Sequence, residues 1–314
     1  MYRNIFKLLL RLLPALLILG LLAGCGGDDA DETAPLLTVD PFTTPTNVTA
    51  QTLTGTRESG ATVSLSVDTT ATVGPVSYPT STTWRADISG LVEGANTVVV
   101  TAADSTENTT SVSFVIVVDL TAAVTLDPVP ALINQTSLTV TGTKESGATI
   151  AVAVSPQGTA AVSADPAATT WSAVLSGLAE GTNAITVTAT DSLGNVNTLE
   201  PVNVVVDITP PQVTANQPSA GAVIVSPAII SATFSEPIDE TSLVTSSFVL
   251  RDSLGNVMGG SLLYIDEDKM LFLHLASQGI VLPAGVYTAT VSTEVRDLSG
   301  NPMAAPYVWS FTVQ

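Results

Sequence analysis

The sequence predicts an all-β chain of three antiparallel sandwiches in series. Three observations carry this: apolar residues alternate with small or polar ones in short runs, 22 Gly and 19 Pro punctuate those runs, and a long segment returns 87 residues later. Hydrophobic residues make up 45% of the chain but aromatic ones only 5%. The apolar content is therefore mostly Val, Ala, Leu and Ile, which with abundant Thr is the composition of many short strands.

The alternation is legible strand by strand. Val63, Leu65 and Val67 share one face, as do Ile150, Val152 and Val154. Trp84, Ala86 and Ile88 share another, matched by Trp171, Ala173 and Leu175; Val98, Val100 and Ala102 are matched by Ile185, Val187 and Ala189. Each repeat has the strand count of a two-sheet antiparallel sandwich. The chain holds a single cysteine, so packing alone must join the sheets.

The joints repeat too. Asp31-Glu-Thr-Ala-Pro, Asp119-Leu-Thr-Ala-Ala and Asp207-Ile-Thr-Pro-Pro are spaced by 88 residues. They divide the chain into domains 31–119, 120–207 and 208–314, with linkers short enough to make a semi-rigid rod. Each domain lies in the size range that folds by itself.

Gly55-Thr-Arg-Glu-Ser-Gly-Ala-Thr62 and Gly142-Thr-Lys-Glu-Ser-Gly-Ala-Thr149 are each followed by a Trp (84, 171), a Leu-x-Glu-Gly-x-Asn turn and a Thr-Ala-x-Asp strand end. In that order the motifs resemble the tandem bacterial Ig-like domains of surface proteins. The first copy departs at Glu107, where the pattern has Gly, and a looser loop is expected there. The third segment resembles the Ig-like domain named after the S-layer protein SbsA. The matching residues are Thr209-Pro-Pro211, Ala232-Thr-Phe-Ser-Glu-Pro-Ile-Asp239, Pro283-Ala-Gly-Val-Tyr287, Asp297-Leu-Ser-Gly-Asn-Pro302 and Trp309-Ser-Phe-Thr312.

The leading segment sets the address. Arg3, Lys7 and Arg11 precede an apolar run of 12 residues, Leu12 to Ala23, too short to span a bilayer as a helix. Leu22-Ala-Gly-Cys25 resembles the lipobox of bacterial lipoproteins. That resemblance implies removal of a signal peptide, residues 1–24, and lipidation of Cys25, followed by a short acidic tether, residues 25–30. The partner on this side is the membrane, reached through the lipid. The implied location is the bacterial cell envelope, and in a Gram-negative source Gly26 after the cysteine, in place of the Asp that often retains lipoproteins at the inner membrane, favours the outer membrane.

Charge excludes other partners. Three of the nine Lys+Arg lie in the leader, which leaves six against 28 Asp+Glu, so nucleic acid and anionic lipid surfaces are not expected to bind. Catalytic patterns are lacking as well: a single His274 has no second histidine or free thiol to work with. The expected role is non-catalytic: structural, adhesive or protein-binding in the envelope, with a protein or glycan partner. A carbohydrate-binding module, or an accessory subunit of an envelope enzyme encoded elsewhere, is the alternative.

Acidic loops fall at the joints. In a sandwich of this kind, the loops after the second strand and before the last strand lie where the chain enters. Glu145, Asp191 and Asn195 should then face Asp119, while Glu236, Asp239, Asp297 and Asn301 should face Asp207. Converging carboxylates repel unless a cation sits between them, and calcium, an oxygen-seeking ion, is the expected cofactor. The competing expectation is that each residue caps its own turn.

Overall fold

The computed structural model describes residues 32–225, 229–275 and 282–314. The predicted signal peptide, Cys25 and the tether lie outside the described residues. The chain divides into two compact units between Asp119 and Leu120. Almost all regular structure is strand, and no helix among the described residues is long and apolar enough to cross a membrane.

The first unit is a sandwich of two antiparallel sheets. Ala50–Thr56 pairs with Thr83–Ser89, which also carries Thr72–Val73 and Ser77–Thr80. The facing sheet is Thr62–Val67, Gly94–Ala103 and Thr109–Val118. The alternation read from the sequence decides which side chains meet. Leu53, Trp84, Ala86 and Ile88 point inward against Val63, Val98, Val100, Ala102, Ile116 and Val118, all buried.

The second unit contains two such sandwiches. In the first, Ser137–Thr143, Thr170–Ser176 and Thr159–Ser163 form one sheet. Thr149–Ser155, Gly181–Thr190 and Val202–Val206 form the other, with Leu132–Ile133 added in parallel at its edge. The repeat is inexact at one place. The first unit's unbroken Thr109–Val118 corresponds to two pieces here, Val196–Thr198 and Val202–Val206. Pro201 immediately precedes the second piece; having no N–H, it cannot donate to a ladder.

The last sandwich has one sheet of Val213–Gln217, Ile230–Phe234, Met270–His274 and Ser261–Ile265. Its partner sheet comprises Val223–Ile224, Tyr307–Val313, Gly285–Val291, Phe248–Arg251 and Val257–Met258. Its core is the most aromatic of the three: Phe248 packs on Trp309 at 5.6 Å and Tyr287 on Phe311 at 5.9 Å between ring centroids. Trp84, Trp171 and Trp309 are at most 4% exposed, so none offers a stacking surface.

A recurring contact explains the repeated Gly-Thr-x-Glu-Ser-Gly motif. Trp84 Nε1 donates to Thr38 O and Trp171 Nε1 to Thr125 O, each at 3.0 Å. The residue across the sheet from each Trp is the motif's first glycine, Gly55 or Gly142. A Cβ on Gly142 would stand 2.0 Å from Thr125 O and 2.8 Å from the indole nitrogen, and Gly55 is equally confined. We expect Gly142→Ala to cost about 2 kcal/mol or more, in the upper part of the range for overpacked sites, read as a lowered thermal midpoint.

Glu107 tests a second local rule. Asp104 Oδ1 accepts from the amides of Thr106 and Asn108, and Asn108 Nδ2 donates to Asp104 Oδ2. The second unit repeats this set with Asp191, Leu193 and Asn195, so the loop is not looser in its hydrogen bonds. The difference lies in the backbone: Glu107 takes φ 70° where its counterpart Gly194 has 87°. Left-handed backbone costs a non-glycine residue about 1–2 kcal/mol, partly offset by the greater freedom glycine loses on folding. Glu107→Gly should therefore stabilise by about 0.5–1 kcal/mol, measurable by chemical denaturation.

Candidate functional site

The candidate site lies wholly within the second unit, where the chain passes from one sandwich to the next at Asp207. Three turns build it. The first is Leu178-Ala-Glu180-Gly-Thr-Asn183. Asn183 is fully buried; its Oδ1 accepts from Ala179 N at 2.9 Å while its Nδ2 donates to Ala179 O and Gly181 O. With the turn so pinned, Glu180 accepts from Ile208 N at 3.1 Å and from Thr209 Oγ1 at 3.2 Å.

The second turn is Asp297-Leu-Ser-Gly-Asn301. Asp297 is 1% exposed, and its two carboxylate oxygens accept from Asn301 N and Asn301 Nδ2, both at 2.8 Å. Gly300, at φ 90°, supplies the left-handed step that closes the loop, and Arg296 donates to its carbonyl. The loop in turn grips the joint: Asn301 Nδ2 donates to Asp207 O, and Ser299 Oγ to Asp207 Oδ2, each at 2.8 Å.

The third turn, Ser235-Glu-Pro-Ile-Asp239, follows the strand Ile230–Phe234. A single antiparallel bridge between Ile238 and Asp297 lays it against the second turn. Carboxylate oxygens of Asp207, Glu236 and Asp297 consequently lie within 4.8 Å of one another. Glu236 registers the crowding. Its burial, with the negative charges of Asp207 and Asp297, holds its carboxyl above the ordinary value of 4.5, and the bond from Ser235 and the charge of Lys269 only partly compensate.

The other predicted ligands do not belong to this trio. Asp239 does not join the trio: it caps the short turn Glu240–Ser242, its carboxylate accepting from Thr241 N and Thr241 Oγ1. Glu145 and Asp191 have carboxylate oxygens within 4.8 Å of each other. Burial disfavours the charge on Asp191, yet the Asn195 side chain and the loop amides outweigh it and hold the carboxyl below its usual range. Asn195 serves that loop. Asp119 ends the first unit, donating its amide to Thr46 O at 2.9 Å.

Beside the trio opens a cleft of about 400 Å³. Glu180, Asp207 and Glu236 supply its charge, and Leu132, Val205 and Leu298 its apolar wall. Glu180 and Ser299 were not singled out from the sequence. Glu180 sits in the Leu-x-Glu-Gly-x-Asn turn that both repeats carry, a pattern that marks the turn but not its contact with residues 208–209. Chemically the arrangement offers hydrogen-bond acceptors and negative charge, which attract a cation. The sole histidine, His274, is exposed at a strand end, its ring tilted against that of Phe272.

These features define the class: tandem Ig-like sandwiches, an architecture typical of non-enzymatic proteins. Residues 128–208 and 207–313 each match a family model described as a bacterial Ig-like domain, and the chain contains two such domains in succession. No curated protein sequence matches the chain. Among solved structures, CopC from Methylosinus trichosporium OB3b is 18% identical with a TM-score of 0.27, covering 33% of this chain and 93% of that one. PcoC from Escherichia coli, a methionine-rich copper resistance protein, is 17% identical with a TM-score of 0.28, covering 34% and 100%. Immunoglobulin domains 1–5 of Sidekick-1 are 13% identical with a TM-score of 0.41, covering 90% and 59%.

Because Glu236 is pushed upward in the fold, its ionisation costs stability. That cost is absent below the ordinary carboxylate value and appears as pH rises through the raised one. Glu236→Gln should therefore melt higher than the parent at pH 7 in low salt, and the gap should close as pH falls below about 4.5. Melting curves from pH 3.5 to 8 check both ends. Asp207 and Asp297, which crowd the group, and Lys269, which partly offsets them, are unchanged in the variant.

Proposed function

We propose that the chain is a non-catalytic, lipid-anchored protein of the bacterial cell envelope whose Ig-like domains form a semi-rigid spacer and protein-interaction module. The observation that carries this reading is the order of parts: a leader and lipobox ending at Cys25, then sandwich domains in tandem with residue-short joints. The joint at Asp207 supports the stiffness, because Glu180, Ser299 and Asn301 all bond to residues 207–209. On its motifs the last domain is assigned to the SbsA type. Burial of all three tryptophans weighs against glycan stacking and in favour of a protein partner. In a Gram-negative source, Gly26 after the lipidated cysteine favours the outer membrane. Calcium is the competing occupant of the carboxylates at the joint.

The anchor is directly testable. A diacylated cysteine holds a protein on a membrane where a single chain binds only marginally. Cys25→Ser should lose incorporation of a fatty-acid analogue, and the protein should become soluble or remain held only by an uncleaved leader. Label persisting on the variant would refute the lipoprotein assignment.

A further inference from the structure

The strand Thr109–Val118 ends one sheet of the first unit, and part of its outer edge is open. Its inner side pairs along the whole length with Gly94–Ala103. On the outer side only the last residues are covered: Val117 O accepts from Thr46 N, Asp119 N donates to Thr46 O and Val117 N donates to Thr44 Oγ1. Backbone groups alternate in direction along a strand, so Ser111, Ser113 and Val115 also turn their amides and carbonyls outward. No strand or isolated bridge among the described residues lies against them.

An open edge is a template for another chain, and proteins blunt it with charge, proline or a bulge. The second copy of the repeat carries all three. Between the pairs Thr188–Thr198 and Ile185–Val202 it sets three residues, Leu199, Glu200 and Pro201, against two. The first copy sets only Val112 and Ser113 between the pairs Thr101–Ser111 and Val98–Phe114. It has no extra residue there, and no proline or charge anywhere from Thr109 to Val118.

We propose that this edge pairs with the same edge of a second copy of the chain, antiparallel about a two-fold axis at Ser113. The inference rests on the interaction-module reading and names the partner. The register is self-complementary. Ser113 meets the partner's Ser113, and Ser111 meets the partner's Val115, which uses every outward group of the three residues. The half-buried side chains between them match as well: Val112 falls opposite the partner's Phe114, an aromatic–β-branched pair at the closer, non-hydrogen-bonded spacing. Charge selects the same occupant. With 28 Asp+Glu against nine Lys+Arg, two copies repel over most of their surface, and an uncharged strand is where they approach without that cost. A basic peptide would find no acid on this strand.

The test uses the full-length protein in detergent at about 100 µM, because a contact of a few residues lies at the small end of interface size. Cysteine variants are oxidised with copper–phenanthroline and dimers are read on non-reducing gels, with the parent chain, whose sole cysteine is Cys25, as background. Ser113→Cys should cross-link, since directly opposed residues stand about 5.5 Å apart at Cα, within disulfide reach. Ser111→Cys alone should stay at background, its two copies lying about 14 Å apart in this register. Mixed with Val115→Cys it should give the mixed dimer. Adding Ser113→Glu to both chains opposes like charges across the axis and should lower that mixed dimer about threefold or more. Its thermal midpoint should match the parent's, because position 113 is exposed. Background-level dimer from Ser113→Cys, equal cross-linking from Ser111→Cys alone, or indifference to Ser113→Glu would each overturn the proposal. So would a cross-link from Ser113→Cys to a different protein in whole cells with none between copies. Fatty-acid labelling at Cys25 does not depend on this edge, so the anchored-module reading and the self-pairing fail separately.

Discussion

The fold depends on one contact made twice: an indole N–H held by the carbonyl of a segment that enters the sandwich ahead of its first long strand. Thr38 and Thr125 supply the carbonyls, and the same two residues donate their amides to Thr56 O and Thr143 O. The entering segment is thus zipped along the strand that carries the glycine, and Trp reaches it only because Gly55 or Gly142 has no side chain in the way. Burying Trp with its N–H satisfied recovers the area of the largest side chain without the penalty of an orphan donor. The last sandwich solves the problem otherwise. Trp309 Nε1 is buried with no hydrogen-bond partner, and the ring is held by Phe248 and Tyr307 at 5.6 and 5.7 Å.

Once each entering segment is fixed, the turns at that end of the sandwich acquire fixed positions as well. Asn183 and Asn301 do the local work, since each closes its own turn through backbone groups or a neighbouring carboxylate. Their order is local, but its result is not: Glu180 from one sandwich, and Asn301 with Ser299 from the next, converge on Asp207–Thr209. The joint therefore gains hydrogen bonds and accumulates like charge together. Glu236 carries the consequence, held partly out of water between two other carboxylates. Such a site stores an electrostatic cost that a cation from outside can relieve.

Alternating apolar residues made the strands and cores legible in advance, because a period of two is a local property of a half-buried strand. Asp-x-x-Gly-Asn turns were equally legible, since an Asp acceptor and a left-handed Gly are required within five residues of each other. Asp239 shows where such reading stops. It stands three residues from Glu236 in a run that pointed toward the joint, yet Thr241 offers its carboxylate two donors and it turns to cap its own short helix. Glu180 shows the opposite failure. Nothing in its own turn says that the chain after Val206 will run past it, so its role at residues 208–209 was invisible.

By itself, then, the sequence determined the class of fold and the repeat, because each is fixed by neighbours in the chain or by a copy 87 residues away. Only the tertiary structure decided which carboxylates meet. Asp207, Glu236 and Asp297 are distant in sequence and come together through one backbone bridge, Ile238 to Asp297, and through the grip of Asn301 on Asp207. Coulombic coupling falls with distance in space and is blind to distance along the chain, so a charged cleft of this kind exists only once the turns have been docked.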